Sequence, residues 1–358
     1  MALQTTFPST KVIYEPGQSP LVDGKFPDEL IIRLKLVQHN RYGENEHQVS
    51  AVYMPADPDD ALPWPIEHLM VGEGEQRRIT GKEMGHNNWR DASAAWGCVG
   101  PFNSSTPIVA IIKHQNPCGM AMGATPVEAY ERAFACDPVS AFGGILAVNQ
   151  VVNVALVEAI GKLFLEVIIA PGYSDRAIEM LVKRKPNLRL LIERTPPIPG
   201  VDISSLFNGA GVQIQTLDRN TPDLDPRTWT CVTKRQPTGQ EMSDMLFAIN
   251  PVHYVKSNAI VFVRNGTTIG IGAGQPNRLN SIDLAGGMAM KNFGSAKGAI
   301  MASDAFLPFA DNVECALKYG ITAILQPGGD KKNVKEVIAA ADEAGIAMMF
   351  TDVRHFLH

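Results

Sequence analysis

The chain has 358 residues and a mass of 38.8 kDa, which is enough for one large domain or two typical ones. Hydrophobic residues make up 45% and charged residues 19%, so a sizeable buried core is available and wholesale disorder is excluded. The formal net charge of −5 argues against general binding to nucleic acid or to an anionic membrane, because such proteins carry a basic surface. A local cationic pocket for one phosphorylated ligand remains compatible with that charge.

The cysteines and the apolar stretches indicate a cellular compartment. The five cysteines are widely spaced and form no Cys-x-x-Cys pair, which predicts reduced thiols rather than a disulfide scaffold or a structural zinc site. Residues 1–10 lack the pattern of a secretory signal, and residues 143–165 contain too many polar side chains for a membrane span. We therefore expect a cytoplasmic protein.

Strands and helices are predicted in chain order from the spacing of apolar residues. Residues 1–32 are rich in proline and predict an extended N-terminal arm. Residues 108–112 form an all-apolar run, typical of a strand covered on both faces, that ends at Lys113 and is followed by a predicted turn at 116–119. A helix with Thr125 as its N-cap comes next, and a second apolar strand follows it.

The second half repeats the alternation of strands and helices, which predicts an α/β fold of mixed sheets flanked by helices. Residues 184–237 are charged and proline-rich and predict a peripheral hairpin and linker. A hairpin is expected over 259–271, and a last strand over 346–350 places Arg354 beyond its carboxyl end, where ligands of α/β sheets commonly bind. The sequence contains no tandem repeat. We expect three parts, which are an arm at 1–32, a first lobe at 33–237 and a second lobe at 238–358.

Lys113 and His114 are the first candidates for chemistry. Two basic groups at the end of a buried strand can serve catalysis, since His exchanges a proton near neutral pH and Lys stabilises a developing negative charge. The alternative is a solvated polar strand end. Their position alone leaves both interpretations open.

Two further motifs suggest other functions and are rejected. Pro117–Cys118 matches half of the zinc-deaminase motif, but the second cysteine is missing, so we expect no zinc. The glycines at 270–274 end a hairpin rather than join a parallel strand to a helix, which disfavours a dinucleotide site. We expect these glycines to let the backbone approach a ligand or another chain.

Seven segments, taken together, resemble one family in order and in spacing. The first reads Lys113-His114-Gln115-Asn116-Pro117-Cys118-Gly119. The others lie at residues 136–144, 257–260, 272–275, 303–306, 326–329 and 354–356. Over residues 36–358 the chain resembles the AICAR formyltransferase portion of the bifunctional purine biosynthesis protein.

The resemblance implies two cytidine-deaminase-like lobes without catalytic zinc. It implies transfer of the formyl group of 10-formyltetrahydrofolate to AICAR, giving FAICAR on the route to IMP, and it admits a monovalent cation such as K⁺. It also implies a homodimer with active sites at the subunit interface. The residues before Arg41 are too few for the family's IMP cyclohydrolase domain, so we expect a separate cyclohydrolase.

Matching by position carries the family's site residues onto this sequence. The general base falls on His114 and the transition-state stabiliser on Lys113. The AICAR contacts fall on Arg41, Tyr42, Gly143, Glu166, Asn258, Arg278, Phe306 and Arg354. The folate contacts fall on Leu279 and Asp311.

Three positions depart from the family pattern. Glu46 stands where Pro is usual, and Ala310 and Leu357 stand where Arg is usual. The last two concern the formyl donor, so one alternative is a transformylase that uses another donor, such as formate activated by ATP. The other alternative is a non-catalytic binder of purine precursors, against which the pairing of Lys113 with His114 argues, since a binder needs no base.

Overall fold

A computed structural model describes residues 11–14, 19–55, 66–102, 105–194, 201–206, 209–218, 225–329 and 333–358. Much of the predicted arm lies outside these ranges, as do the proline-containing segments Pro196-Pro197 and Thr221-Pro222 of the region 184–237. In the described ranges every helix is too short or too polar to cross a membrane.

Two strand pairs stand at the N-terminal end of the described chain. They are β1 (Lys11–Tyr14) with β2 (Glu29–Ile32), which run parallel, and β3 (Leu34–His39) with β4 (Ala51–Pro55), which run antiparallel. The predicted arm therefore contains paired strands at both of its described ends.

The first lobe is built on a six-stranded mixed sheet. Its elements, with the small β6–β7 pair, are β5 (Ile66–His68), β6 (Met70–Val71), β7 (Arg78–Ile79), α1 (His86–Val99), β8 (Ile108–Lys113), β9 (Asn116–Met122), α2 (Pro126–Cys136), β10 (Gly144–Val148), α3 (Val154–Ile160), β11 (Leu165–Ala170), α4 (Asp175–Arg184) and β12 (Arg189–Glu193). The strand order is β5-β12-β11-β10-β8-β9, with β10, β11 and β12 parallel and the other neighbours antiparallel.

The second lobe is built on a second six-stranded sheet, preceded by a hairpin. These elements are β13 (Val201–Leu206), β14 (Gly211–Thr216), β15 (Thr230–Cys231), α5 (Gly239–His253), β16 (Ile260–Val263), β17 (Thr268–Gly272), α6 (Arg278–Phe293), β18 (Ile300–Ser303), α7 (Asp311–Lys318), β19 (Ala323–Gln326), α8 (Val334–Glu343) and β20 (Ala347–Phe350). The strand order is β15-β20-β19-β18-β16-β17. Because β15 pairs with β20, this sheet recruits residues that precede position 238.

The two sheets repeat one topology element for element. In each, a helix precedes an antiparallel hairpin, and three parallel strands follow with a helix before each one. The sheets meet at their hairpin edges, where Ala121 bridges Thr267 and the Met122 amide donates to the Gly266 carbonyl at 2.8 Å. The duplication therefore lies in the topology, although the sequence shows no tandem repeat.

Alternate residues of the strands pack into different cores. In β8, Ile108, Ala110 and Ile112 face a core shared by both lobes, while Val109 and Ile111 face a core of the first lobe alone. This alternation follows from the two-residue period of a strand, and each fully buried Ile stabilises the fold by about 1.5–3 kcal/mol. The shared core contains α1 and α5 side chains, so both helices cover the same face of the paired sheets.

Most of the predicted elements are confirmed. The strand at 108–112 is buried throughout, and the Glu128 amide donates to the Thr125 side chain at 3.2 Å, as expected of the predicted N-cap. The α/β fold of two lobes with mixed, helix-flanked sheets is also as predicted.

Three predictions need correction. The turn after β8 lies at His114–Gln115 and not at 116–119, because residues 116–122 form the edge strand β9, where a proline is tolerated. Residues 184–237 are not wholly peripheral, because β12 is an inner strand of the first sheet. Gly270 and Gly272 of β17 let helix α6 approach the strand, rather than a ligand or another chain as predicted, since a Cβ on Gly272 would lie 1.8 Å from the Ser281 carbonyl oxygen.

Candidate active site

The turn between β8 and β9 carries the proposed general base. Its two central residues, His114 and Gln115, have φ angles of 52° and 61°. Positive φ at both positions defines a type I′ turn, which normally takes Asn-Gly. Left-handed backbone costs about 1–2 kcal/mol at each residue other than glycine, so this turn depends on its surroundings for stability.

Asp91 of α1 provides those surroundings. Its carboxylate accepts a hydrogen bond from the His114 amide at 3.1 Å and another from the Gln115 amide at 2.8 Å. Burial raises the pKa of Asp91, and the two amide bonds oppose that rise. The Asn116 side chain also donates to the His114 carbonyl at 3.1 Å. Together these bonds fix the backbone from which the imidazole projects.

Lys113 lies close to Gly143. Its Nζ donates to the Phe142 carbonyl at 2.7 Å, and a Cβ on Gly143 would lie 3.9 Å from that nitrogen. Gly143 has a φ of 76°, which favours glycine. The half-exposed rings of Phe142 and Phe164 stand 5.3 Å apart on the same side. A Cβ on Gly143 would also lie 3.8 Å from the Phe164 ring, so the ammonium group and this ring stand close to the same glycine.

Asn116 joins this turn to the second lobe. Its Oδ1 accepts from the Lys256 amide at 3.0 Å, and the Lys256 carbonyl accepts from the Gly274 amide at 2.7 Å. Two residues further on, the Asn258 side chain donates to the Gln275 carbonyl at 2.7 Å. The loop that carries Asn258 is thus tied directly to the turn that carries His114.

Arg278 is held in a buried polar network with Asn258. It donates to the Asn258 Oδ1 at 2.7 Å and to the Ser303 Oγ at 3.2 Å, and it forms an ion pair with Asp304 at 2.5 Å. The Asp304 side chain is 0% exposed and that of Arg278 is 7% exposed. This arrangement commits Arg278 to the protein interior, so any contact with a ligand would come from the edge of its guanidinium.

The C-terminal segment is hydrogen-bonded to residues of the same network. The His355 amide donates to the Asp304 carbonyl at 2.9 Å, and the Leu357 amide donates to the Ser257 Oγ at 3.1 Å. The Arg354 guanidinium carbon stands 4.5 Å from the centre of the Phe356 ring, within the range of a cation–π contact. These bonds hold Arg354 near the residues described above.

An open cleft of about 720 Å³ lies between α1 and the C-terminal segment. Among the described residues, its lining includes the cations Arg90, Lys256 and Arg354, together with Gln115 of the I′ turn and the carboxylates of Asp202 and Asp218. Burial lowers the pKa of Lys256, and the nearby Arg90 charge lowers it further. The Lys256 ammonium donates to the His358 carbonyl at 2.6 Å, so the cations most suited to an anionic ligand such as a phosphate are Arg90 and Arg354.

Arg41 and Tyr42 lie in the loop between β3 and β4, which contacts the first turn of α1. The exposed Arg41 guanidinium stands 5.6 Å from the centre of the Tyr42 ring. The Asn87 side chain donates to the Glu44 carbonyl at 3.1 Å, which anchors the loop one helical turn before Arg90. Neither Arg41 nor Tyr42 lines the cleft, so the structure brings this pair to the same helix but not into the same cavity.

Glu166 is occupied by an ion pair within the chain. Its carboxylate lies 2.5 Å from Arg189, whose side chain is 9% exposed and also donates to the Glu83 carbonyl at 3.0 Å. Glu166 therefore presents a neutralised pair rather than a free negative charge.

The remaining predicted contacts belong to the second lobe, two at helix starts and one in a loop. Leu279 is the second residue of α6, and Asp311 is the first residue of α7, with its Oδ1 accepting from Asn312 at 2.7 Å. Phe306 is partly buried in the loop between β18 and α7. The structure does not bring these three residues into the cleft.

The departures from the family pattern can also be located. Ala310 is the N-cap of α7 and provides no side-chain cap, while Leu357 contributes backbone hydrogen bonds that an Arg there would also make. Glu46 lies exposed in the loop that carries Arg41.

Thiol chemistry is disfavoured by burial. All five cysteines are free, and burial raises the pKa of Cys118, the thiol closest in sequence to His114, to about 12. Across the described ranges, no group of three or more His, Cys, Asp or Glu side chains is placed to hold a metal ion.

Sequence reasoning missed three residues of this region. Asp91 contacts a turn that is 23 residues away along the chain, and Lys256 contacts Asn116 across 140 residues. Arg90 lines the cleft only because α1 faces the C-terminal segment. No local motif marks any of the three, since each depends on packing between elements.

One comparison with known proteins bears on identity. The model of the AICARFT/IMPCHase bienzyme family matches residues 10–288, which is more than half of the chain. The match includes Lys113, His114 and Arg278, whereas Asp311 and Arg354 lie beyond it. The chain belongs to the AICARFT/IMPCHase bienzyme family.

Proposed function

We propose that this chain is an AICAR formyltransferase that takes the formyl group from 10-formyltetrahydrofolate and delivers FAICAR to purine biosynthesis. The observation that carries the proposal is the I′ turn with His114 at its tip and Lys113 beside it, bonded through Asn116 to the second lobe. Family membership supports the reaction class.

The chemistry requires a base and a stabiliser for a developing oxyanion. The AICAR amine is a poor nucleophile because its lone pair is delocalised into the ring. In the proposed step the amine nitrogen bonds to the formyl carbon while His114 takes the amine proton. The bond from the formyl carbon to the folate nitrogen then breaks, and the proton passes to that nitrogen.

Lys113 is suited to the oxyanion. An ammonium group has three donors, and one of them is used by the Phe142 carbonyl, so two remain for the reacting oxygen or the leaving nitrogen. A positioned general base contributes about 10²–10⁴-fold to the rate, which is the share that the proposal assigns to His114.

The cleft supplies the proposed phosphate site. Arg354 offers a planar fork of donors suited to a phosphate, and Arg90 and Lys256 add positive charge beside it. Arg41 does not line this cleft within one chain, so we propose it as a further phosphate contact in a site shared between the two subunits of the dimer. The other proposed AICAR contacts are Tyr42, Gly143, Glu166, Asn258, Arg278 and Phe306, and the proposed folate contacts are Leu279 and Asp311.

The proposal includes the assembly and the setting of the enzyme. It assigns a cytoplasmic homodimer with active sites at the subunit interface and a K⁺ ion as an optional activator. It keeps residues 1–32 as an arm and residues 33–237 and 238–358 as the two lobes, except that β15 within 33–237 joins the sheet of the second lobe. Sedimentation equilibrium tests the dimer, and a dimer-breaking condition should abolish turnover if the sites are shared.

One assay separates the proposed reaction from its alternatives. The full chain is mixed with AICAR and 10-formyltetrahydrofolate, and tetrahydrofolate release is followed by absorbance. We expect turnover without ATP. Turnover only with formate and ATP would identify another donor, and calorimetric binding of AICAR without turnover under either condition would identify a binder, so either result overturns the proposal. Conversion of FAICAR to IMP is measured in the same samples, and its occurrence would contradict the expectation of a separate cyclohydrolase.

A further inference from the structure

Both lobes hold their hairpin turn with a carboxylate from the preceding helix. In the first lobe Asp91 of α1 accepts from the two central amides of the β8–β9 turn, at 3.1 and 2.8 Å. In the second lobe Asp244 of α5 accepts from the Asn265 amide at 3.0 Å and the Gly266 amide at 2.7 Å. The topological duplication therefore extends to a specific side-chain contact.

In both lobes the cationic residue before the turn donates hydrogen bonds to backbone carbonyls of a neighbouring segment. Lys113 donates to the Phe142 carbonyl in the loop before β10, and Arg264 donates to the Ser295 and Lys297 carbonyls before β18. The two hairpins thus share two kinds of contact, a helix carboxylate that accepts from the turn amides and a cation that donates to neighbouring carbonyls. What differs is the pair of residues at the tip.

The tip residues are favourable in one lobe and unfavourable in the other. Asn265 and Gly266, with φ angles of 52° and 65°, are the pair that a type I′ turn prefers. His114 and Gln115 occupy the same conformation without glycine or asparagine. The first turn therefore relies on its carboxylate more than the second does, and backbone strain of this kind concentrates at functional positions.

We propose that Asp91 is a positioning residue that holds the left-handed backbone of His114 and Gln115, and thereby aims the imidazole at the reacting amine. The inference rests on the proposed function of His114. Asp91 acts through two backbone amides and has no contact with substrate in this role. The second lobe keeps the same contact at Asp244 for folding alone.

The test compares the two carboxylates as matched variants. In Asp91→Asn one amide oxygen replaces two carboxylate oxygens, so one turn amide loses its acceptor and meets an NH₂ group. We expect kcat to fall about 10²-fold with little change in the KM for AICAR, because misplaced groups lose rate rather than ground-state binding. Asp244→Asn should lower the Tm but leave kcat for the folded protein near the wild-type value.

A second substitution separates positioning from a purely electrostatic effect. Glycine adopts positive φ without steric cost, so Gln115→Gly should restore about tenfold of the lost kcat when added to Asp91→Asn, judged against Gln115→Gly alone. If the carboxylate charge itself were the active feature, the glycine would restore nothing. Hydrogen exchange should quicken at residues 114–115 in Asp91→Asn and at 265–266 in Asp244→Asn.

The outcomes distinguish the two levels of the proposal. Absence of transformylase turnover in the wild-type chain removes the proposed function, and the positioning role falls with it. With wild-type turnover present, three results each overturn the positioning role alone. These are an unchanged kcat in Asp91→Asn, an equal loss in Asp244→Asn, and no recovery on adding Gln115→Gly.

Discussion

Replacing Arg278 with Met tests how far the second lobe depends on its buried ion pair. The substitution removes the cation that faces Asp304, whose side chain is 0% exposed, and leaves the Ser257 hydroxyl as the remaining described side-chain partner of that carboxylate. Breaking a buried pair by removing one partner costs about 3–5 kcal/mol, since the other charge stays desolvated. A typical domain has only about 5–15 kcal/mol in total, so the expected loss is a large fraction of the stability.

The assay is urea unfolding followed by circular dichroism, with a double-mutant cycle. Arg278→Met alone should lower the free energy of unfolding by about 3–5 kcal/mol. Adding Asp304→Asn removes the stranded charge and should recover much of that loss. Arg227→Met is the control, because Arg227 pairs with Asp225 in an exposed position, with the Arg side chain 88% exposed, and its loss should leave stability unchanged.

A loss of less than about 1 kcal/mol in Arg278→Met, the range of an exposed pair, would contradict a strongly stabilising buried pair, and so would a larger loss after Asp304→Asn is added. The same variant bears on function. If Arg278 also contacts AICAR, the KM of the folded fraction rises in addition to the loss of stability.

The remaining predictions concern packing, pH and the phosphate site. Gly272→Ala should lower the free energy of unfolding by about 1–3 kcal/mol, since its Cβ would lie 1.8 Å from a carbonyl oxygen of α6. Gly287→Ala, within α6 and with nothing within 4 Å of its Cβ, should raise it by about 0.4–1 kcal/mol, and thermal melts giving the same sign for both would contradict the packing. Burial alone would raise the pKa of Glu241, but hydrogen bonds outweigh it and lower the pKa from 4.5 to about 2. The stabilisation is therefore complete above pH 4.5 and is lost as the pH falls towards 2, so Glu241→Gln should flatten an acid-unfolding curve in that window and a steeper curve would count against the assignment. Arg354→Ala and Arg41→Ala should each raise the KM for AICAR more than they lower kcat, and unchanged KM values in steady-state kinetics would remove both from the phosphate site.

The parts of this fold that depend on local sequence pattern can be predicted from the sequence. The buried strand at 108–112 and the hairpin at 259–271 were predictable because apolar runs and turn residues mark them directly. The N-cap at Thr125 was equally local. The ordered motifs also identified the family, and the match over residues 10–288 agrees with that resemblance.

The features that could not be predicted from the sequence depend on contacts between distant elements. The turn was predicted at 116–119 because Pro and Gly attract turn predictions, whereas the actual turn at His114–Gln115 depends on Asp91 from another helix. Glu166 could be matched to a family position, yet its pairing with Arg189 required the register of two neighbouring strands. Propensity at single positions cannot predict either contact.

The most direct test of the central claim is turnover by a variant that removes the base and keeps the turn. Asn tolerates left-handed backbone better than Ala does, so His114→Asn separates loss of the imidazole from collapse of the turn at φ 52°. With AICAR and 10-formyltetrahydrofolate, we expect kcat to fall by about 10²–10⁴-fold while calorimetry shows AICAR binding close to that of the wild type. Wild-type turnover in His114→Asn would contradict the account.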